Sequence, residues 1–133
     1  MRILIDTDVL LDVALDRTPH SEDASRLLRA VQRGAATAVV AWHTVSNLYY
    51  LLSAKADRRR ALAFIRDLAR IVEVAPADSD ILKVAISLRM RDFEDAMQVA
   101  AALAGGADLI ATRNVRDFRG APIRAVAPRD LTI

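Results

Sequence analysis

The chain contains no cysteine, which excludes disulfide bonds, zinc–thiolate sites and cysteine nucleophiles. It also lacks any apolar run close to the roughly 18 residues that a membrane helix requires. From Met1 the sequence passes almost directly into the strand-like residues 3–5, and no signal peptide is visible there. We therefore expect a cytoplasmic protein with no membrane segment.

Lysine is nearly absent, because 17 of the 19 basic residues are arginine. Arginine suits two-point contacts with phosphate, although a high-GC coding bias explains the same composition equally well. The net charge of +2 is too small to indicate nucleic-acid binding by itself. Hydrophobic residues make up 53% of the chain, which argues against disorder. A length of 133 residues favours a single domain, predicted over residues 1–133.

Short apolar segments alternate with helical patterns along the whole chain. Helices are predicted from Asp8 to Val13, over 20–33, from Thr44 or Ser46, from Asp57, from Asp78, and over 94–104. Strands are predicted at 2–5, 37–40, 71–74, 109–111 and 123–126, the last at a sheet edge because it is short and flanked by proline. The strands are apolar throughout, which is typical of a parallel sheet covered on both faces. We therefore predict a three-layer α/β/α sandwich with a mainly parallel sheet.

Carboxylates follow the predicted strands and open one of the helices. Asp6 follows the first strand, Asp117 lies in the loop after strand 109–111, and Asp95 stands at the start of the helix before that strand. Ligands of such sheets bind beyond the carboxyl ends of the strands. Each pair of like charges at 4 Å costs about 4 kcal/mol at an effective dielectric near 20. A cluster of acids therefore needs a cation, protons or arginine partners, and Mg²⁺ or Mn²⁺ is the common solution.

Several residues near these acids have open roles at this level. Asp8 is expected to cap a helix rather than to bind an ion, and Asp92 is either the cap of the 94–104 helix or a ligand. Asp12 and Asp16 are expected on a solvated helix face. His43 is interpreted as a hydrogen-bonded structural histidine, with substrate contact as the alternative. Because each acid has a local explanation, the prediction of a site depends on their combination.

Three motifs together resemble the PIN-domain ribonucleases, a family that includes the VapC-type toxins of bacterial toxin–antitoxin pairs. They are ILIDTDVLLD at 3–12, DFEDAMQVAAA at 92–102 and GADLIATRNVRDF at 106–118. The resemblance covers nearly the whole chain in the right order and spacing. It implies a parallel α/β/α sandwich, an acidic pocket that binds Mg²⁺ or Mn²⁺, and hydrolysis of RNA. It further implies a homodimer and an antitoxin partner that reaches into the acidic pocket.

The resemblance assigns roles to matching positions of this chain. Asp6 matches the first acid of the family, and Asp95 matches the acid at the start of its late helix. Asp117 and Asn114 lie in the loop that usually carries the fourth acid, and Thr112 matches a hydroxyl near the metal. The resemblance thus implies Asp6, Asp95 and Asp117 as metal ligands, with metal-bound water attacking phosphorus. Arg113 and Arg116 either contact the RNA backbone or lie in a solvated loop.

One position departs from the family pattern. The family usually has a glutamate early in the central helix, where this chain has Asn47. An amide can coordinate an ion through its oxygen, but it carries no charge and cannot act as a base. We expect Asn47, together with Asn114, to complete or orient the metal shell. Asp8 and Asp92 are candidates to offset the lost charge.

Three other interpretations stay open. The first is a catalytically weak PIN domain that acts as an RNA- or protein-binding module, for which Asn47 is the motive. The second is a phosphatase similar to the haloacid dehalogenases, since Asp6-Thr-Asp8 after an apolar strand resembles their start. Lys55 and Lys83 are the only lysines, and neither follows a predicted strand, which argues against this class. The third is a purely structural domain, which would leave the clustered acids without a role.

Overall fold

The computed structural model describes residues 1–133 and contains one five-stranded sheet. The strands occur in the order β3-β2-β1-β4-β5, and every neighbouring pair is parallel. Their bounds are β1 Arg2–Ile5, β2 Thr37–Val40, β3 Glu73–Val74, β4 Leu109–Ala111 and β5 Ala125–Val126. The predicted parallel α/β fold is confirmed, and the last strand does lie at an edge.

Six helices cover the two faces of the sheet. Their bounds are α1 Thr7–Ala14, α2 Ser21–Gln32, α3 Trp42–Lys55, α4 Arg58–Leu68, α5 Ser79–Ser87 and α6 Phe93–Ala104, with short 3-10 helices at Val115–Phe118 and Pro128–Asp130. None of these helices combines the length and the apolar character needed to cross a bilayer.

The side chains of β1 alternate between two cores, as those of a strand must. Ile3 and Ile5 pack in a cluster with residues of α1 to α4, whereas Leu4 packs with residues of α6 on the opposite face. All three side chains are fully buried. The sheet is therefore the middle layer of three, and β1 is its central strand.

Two helices begin earlier than the sequence predicts. The N-cap of α1 is Asp6 rather than Asp8, because the Asp6 side chain accepts a hydrogen bond from the backbone N–H of Thr7. The central helix α3 begins at Trp42, whereas Thr44 or Ser46 was predicted. Its N-cap is Ala41, which has no side-chain oxygen to mark the position in the sequence.

Other boundaries agree with the sequence or differ only in length. The predicted caps Asp57 and Asp78 each accept a backbone hydrogen bond at the start of α4 and α5. Asp92 caps α6, which is one of the two roles considered for it. The third and fifth strands are shorter than predicted, because only the last two residues of each segment pair with a neighbouring strand. Short edge strands of this kind limit unwanted pairing with other chains.

Candidate metal centre

Asp6 lies at the carboxyl end of the central strand and is held by three donors. Its Oδ1 accepts hydrogen bonds from the backbone N–H of Thr7 at 2.8 Å and from Nε2 of Gln98 at 3.0 Å. Its Oδ2 accepts a 2.8 Å hydrogen bond from the hydroxyl of Thr112, the residue after β4. Asp6 is only 6% exposed. The fold therefore fixes the Asp6 carboxylate in a single orientation at the carboxyl end of the central strand.

Gln98 on α6 connects Asp6 to the central helix and to a further acid. Its Nε2 also lies 3.1 Å from the hydroxyl of Thr44 and 3.3 Å from Oε1 of Glu94. The same Glu94 oxygen lies 3.0 Å from Nε2 of His43. The interpretation of His43 as a hydrogen-bonded residue is confirmed, and its partner belongs to the acidic cluster.

Glu94 is the member of this cluster that sequence reasoning missed. It stands inside the motif DFED at 92–95 but received no role, because Asp95 alone matched the family pattern. The signal that could have found it is its place in the first turn of α6, one residue before Asp95. Carboxylates in that turn gather around the positive end of the helix dipole.

The start of α6 and the loop after β4 form an open, wholly polar cleft. Its lining consists of Arg91, Asp92, Asp95, Arg116 and Asp117. At one side of it, carboxylate oxygens of Asp92, Glu94 and Asp95 lie within 4.8 Å of one another. The structure thus places the predicted residues Asp95 and Asp117 in the same cleft, with Glu94 beside them.

Burial, followed by mutual repulsion, raises the pKa of two central carboxyl groups. Burial, followed by repulsion from Asp8 and Glu94, raises the pKa of Asp6 to about 7, although hydrogen bonds from Thr112 and Thr7 favour its charged form. Burial, followed by repulsion from Asp92, Glu94 and Asp117, raises the pKa of Asp95 to about 6. Repulsion from Glu94 therefore raises the pKa of both Asp6 and Asp95.

Asn114 contacts Asp8 rather than the central acids. Its side-chain amide donates a 2.9 Å hydrogen bond to Oδ2 of Asp8, and its backbone N–H donates to the hydroxyl of Thr112 at 3.0 Å. Burial, more than any other cause, raises the pKa of Asp8. Asp8 lies near enough to Asp6 to raise its pKa, so Asn114 orients an acid at the margin of the cluster.

Asp12 is not on a solvated face, and that prediction is wrong. It is 1% exposed and forms salt bridges with two arginines, Arg17 at 2.9 Å and Arg113 at 2.7 Å. Arg113 is therefore engaged by Asp12 rather than lying free in a solvated loop. The three side chains tie α1 to the loop that also contains Thr112 and Asn114. Asp16 is exposed, as predicted.

Asn47 is half-buried on α3 and makes no side-chain hydrogen bond to the acidic cluster. It lies four residues after His43 and three after Thr44, so the three residues share one face of the helix. His43 and Thr44 reach the cluster through Glu94 and Gln98. The structure places Asp95 and Asp117 in one cleft and connects Asp6 to its neighbour Glu94 through Gln98. It shows no contact that gives Asn47 a role there.

The donor set matches the preference of a divalent cation for oxygen ligands. Asp6, Asp95 and Asp117 form no salt bridge with any arginine, although arginine is abundant. Two buried oxygens of the region, Oδ1 of Asp8 and Oε1 of Gln98, have no hydrogen-bond partner. Uncompensated negative charge with spare acceptors is the chemistry that Mg²⁺ or Mn²⁺ complements.

The PIN domain family model matches residues 2–116, and the chain belongs to this family. The chain is 25% identical over 114 residues to Ribonuclease VapC1 of Aquifex aeolicus, a match that covers 82% of this chain and 78% of that protein. The family assignment leaves the phosphatase interpretation without support.

Solved structures of similar proteins confirm the fold. VapC20 of Mycobacterium tuberculosis, described as a sarcin-ricin loop cleaving toxin, superposes with a TM-score of 0.75 at 22% identity, covering 95% of this chain and 99% of that one. The VapBC-1 structure from nontypeable Haemophilus influenzae gives a TM-score of 0.74 at 17% identity, covering 97% and 99%.

Proposed function

We propose that this chain is a metal-dependent endoribonuclease and the toxin of a toxin–antitoxin pair. The observation that carries the proposal is the buried Asp6, which lies close enough to Asp8 and Glu94 to be repelled by them and forms no salt bridge with an arginine. A relative named as a ribonuclease and a neighbour described as a cleaving toxin support the same activity.

In this proposal Asp6, Asp95 and Asp117 hold Mg²⁺ or Mn²⁺. When bound, such an ion lowers the pKa of a water ligand and stabilises charge that develops on phosphoryl oxygens. Thr112 and Gln98 fix the two oxygens of Asp6, so that this ligand does not have to reorganise. Asn114 orients Asp8 at the margin, and a contribution from Asn47 stays a prediction.

In this proposal two arginines bind the RNA backbone. Arg91 and Arg116 line the acidic cleft, are exposed, and form no salt bridge despite the acids around them. A guanidinium group binds phosphate oxygens at two points. Arg91 and Arg116 therefore attract a substrate that the carboxylates alone would repel.

The proposal is tested by incubating the purified chain with a labelled structured RNA, in the presence of Mg²⁺, Mn²⁺ or a chelator. We expect cleavage that requires a metal and that is lost in Asp6→Asn and Asp95→Asn. Asp67→Asn is the matched control, because Asp67 is an exposed aspartate at the end of α4. Cleavage in chelator, or undiminished cleavage by Asp6→Asn, would contradict the proposal.

A second candidate is a PIN domain that binds RNA without cutting it. Asn47 favours it, because the central helix supplies no carboxylate at that position. The two candidates differ in one outcome of the same experiment. A folded chain that retains the RNA but cleaves none of several RNAs with either metal would support the binding module.

We also propose a homodimer and an antitoxin partner. The support is that neighbouring structures are toxin–antitoxin complexes, among them one from Klebsiella pneumoniae with a TM-score of 0.72. On the central helix, Leu48 and Leu52 are buried in the core and are not free for partner contacts, whereas Tyr50 and Leu51 are exposed and Tyr49 is half-buried. Co-expression with a small neighbouring gene product, followed by measurement of the mass of the complex, tests both partners.

A further inference from the structure

The central helix reaches the acidic cluster with neutral or basic side chains only. His43, Thr44 and Asn47 occupy the face of α3 that lies toward the cluster, and none of them is an acid. The negative charge beside this helix is instead supplied from α6. Glu94 is the acid of α6 that α3 contacts, through the 3.0 Å distance between its Oε1 and Nε2 of His43.

The contacts of Glu94 place it between the two predicted ligands. Its Oε1 shares the amide of Gln98 with Oδ1 of Asp6, at 3.3 Å and 3.0 Å respectively. On its other side, carboxylate oxygens of Glu94, Asp95 and Asp92 lie within 4.8 Å of one another. The hydrogen bonds to His43 and Gln98 both use Oε1, the carboxyl groups of Glu94 and Asp95 are also in contact, and the Glu94 side chain is 42% exposed.

The buried amide of Gln98 connects Glu94 to Asp6 and to the central helix. Gln98 is fully buried, and its Nε2 faces four acceptors of the cluster, on Asp6, Thr7, Thr44 and Glu94. Its Oε1 has no hydrogen-bond partner in the protein. A buried acceptor of this kind costs free energy unless a donor or a cation satisfies it. The amide nitrogen therefore holds Glu94 and Asp6 at one place, while the amide oxygen stays buried without a partner in the protein.

We propose that Glu94 is a metal ligand of this chain and that it supplies the charge that Asn47 does not. His43 and Gln98 are positioning residues that hold Oε1 and direct Oε2 toward the ion bound by Asp6 and Asp95. This inference rests on the proposed function, because it concerns the same metal centre. It explains why the chain retains an acidic cluster although its central helix offers no carboxylate.

The test measures binding of Mn²⁺ to the full-length chain by electron paramagnetic resonance, without RNA. We expect Glu94→Gln to bind Mn²⁺ at least tenfold more weakly than the unchanged chain. Glu22→Gln is the matched control, because Glu22 is an exposed glutamate in the first turn of α2. His43→Ala is expected to weaken binding by a smaller factor, since Glu94 then keeps its charge but loses a contact.

A rescue experiment separates loss of a ligand from loss of structure. Adding Asn47→Glu to Glu94→Gln should restore most of the Mn²⁺ affinity, because it returns one carboxylate to the same site from α3. A merely structural role for Glu94 would leave the double variant as weak as the single one. Glu94→Asp keeps the charge and replaces Glu94→Gln in the test if Glu94→Gln does not fold. Its Mn²⁺ affinity should lie between those of the unchanged chain and Glu94→Gln.

The outcomes distinguish this inference from the proposed function. If Asp6→Asn abolishes Mn²⁺ binding while Glu94→Gln binds as tightly as the unchanged chain, Glu94 is not a ligand and the metal centre stands. If the unchanged chain itself binds no Mn²⁺, the proposed function fails and the inference fails with it. Circular dichroism and the unfolding midpoint of each variant establish that the compared proteins are folded.

Discussion

The hydroxyl of Thr112 donates a 2.8 Å hydrogen bond to Oδ2 of Asp6 across a separation of 106 residues in the sequence. Both atoms are buried, and the two residues follow the neighbouring parallel strands β4 and β1. This contact makes the loop after β4 part of the acidic site. It also orients the one carboxylate on which the proposed metal centre most depends.

Thr112→Val should weaken the metal centre while preserving the fold. Valine has nearly the same shape but removes the donor to Asp6 and the acceptor for the backbone N–H of Asn114. Loss of a group that orients a metal ligand typically lowers metal affinity by about 10- to 100-fold. Titration calorimetry with Mn²⁺ measures the change. Thr112→Ser keeps the hydroxyl and should bind nearly as well as threonine, and equal loss in both variants would contradict this role.

Without a divalent metal, the stability of the chain should fall as the pH rises from about 4 to 7. The pKa of Asp6 is raised from 3.8 to about 7 in the folded chain. The folded state therefore binds more protons than the unfolded state over this range, and the free energy of unfolding decreases with pH. At about 1.4 kcal/mol per pKa unit, the loss is on the order of 4 kcal/mol.

Urea unfolding in chelator at pH 4.5, 6 and 8 checks this expectation. Asp6→Asn cannot ionise at this position and should lose much less stability between the same pH values. Added Mn²⁺ should restore the stability of the unchanged chain at pH 8, because an ion that binds only the folded state stabilises it. A free energy of unfolding that rises toward pH 8 in chelator would contradict a pKa of Asp6 raised by burial and repulsion.

Asp12→Asn should destabilise the chain strongly, on the order of 3 kcal/mol, because it removes the charge that two arginines share. Asp16→Asn is the control, since Asp16 is exposed and its φ of +49° suits asparagine. That control should change the free energy of unfolding by less than about 0.5 kcal/mol. Equal effects of the two substitutions in urea unfolding would show that the buried salt bridges contribute nothing.

Arg116→Ala and Arg91→Ala should each weaken RNA binding and reduce its dependence on salt. Loss of one phosphate contact lowers the slope of log affinity against log salt by about 0.7 for a single strand. Arg70→Ala is the matched control, because Arg70 is exposed and lies before β3, the edge strand farther from β4 and the cleft. Fluorescence anisotropy with Asp6→Asn as the common background measures binding without cleavage. An equal effect of Arg70→Ala would mean that the attraction is not local to the cleft.

The sheet and three of the acids could be predicted from the sequence because local patterns specify them. Strands β1, β2 and β4 are continuous apolar runs, and parallel strands bring their carboxyl ends to one edge. Asp6 follows β1, and Asp117 lies in the loop after β4. Asp95 stands in the first turn of α6, the helix that precedes β4. Strand order and side-chain period are enough to place such residues on the same side of the molecule.

The remaining features depend on contacts between distant residues. Asp12 looks like a solvated helix acid until Arg113, 101 residues away, is placed beside it. Glu94 gains its position from His43, 51 residues earlier. The start of α3 at Trp42 has no capping side chain to announce it. Neither the periodicity of the sequence nor the capping rules predict these two contacts or the start of α3.

The most direct test of the proposed metal centre measures the cleavage rate of one labelled RNA and the bound fraction of Mn²⁺ in the same titration. We expect both quantities to rise at the same Mn²⁺ concentration and both to be absent in Asp6→Asn. Cleavage that persists in chelator, or an Asp6→Asn variant that cleaves RNA as fast as the unchanged chain, would contradict a metal-dependent site built on Asp6.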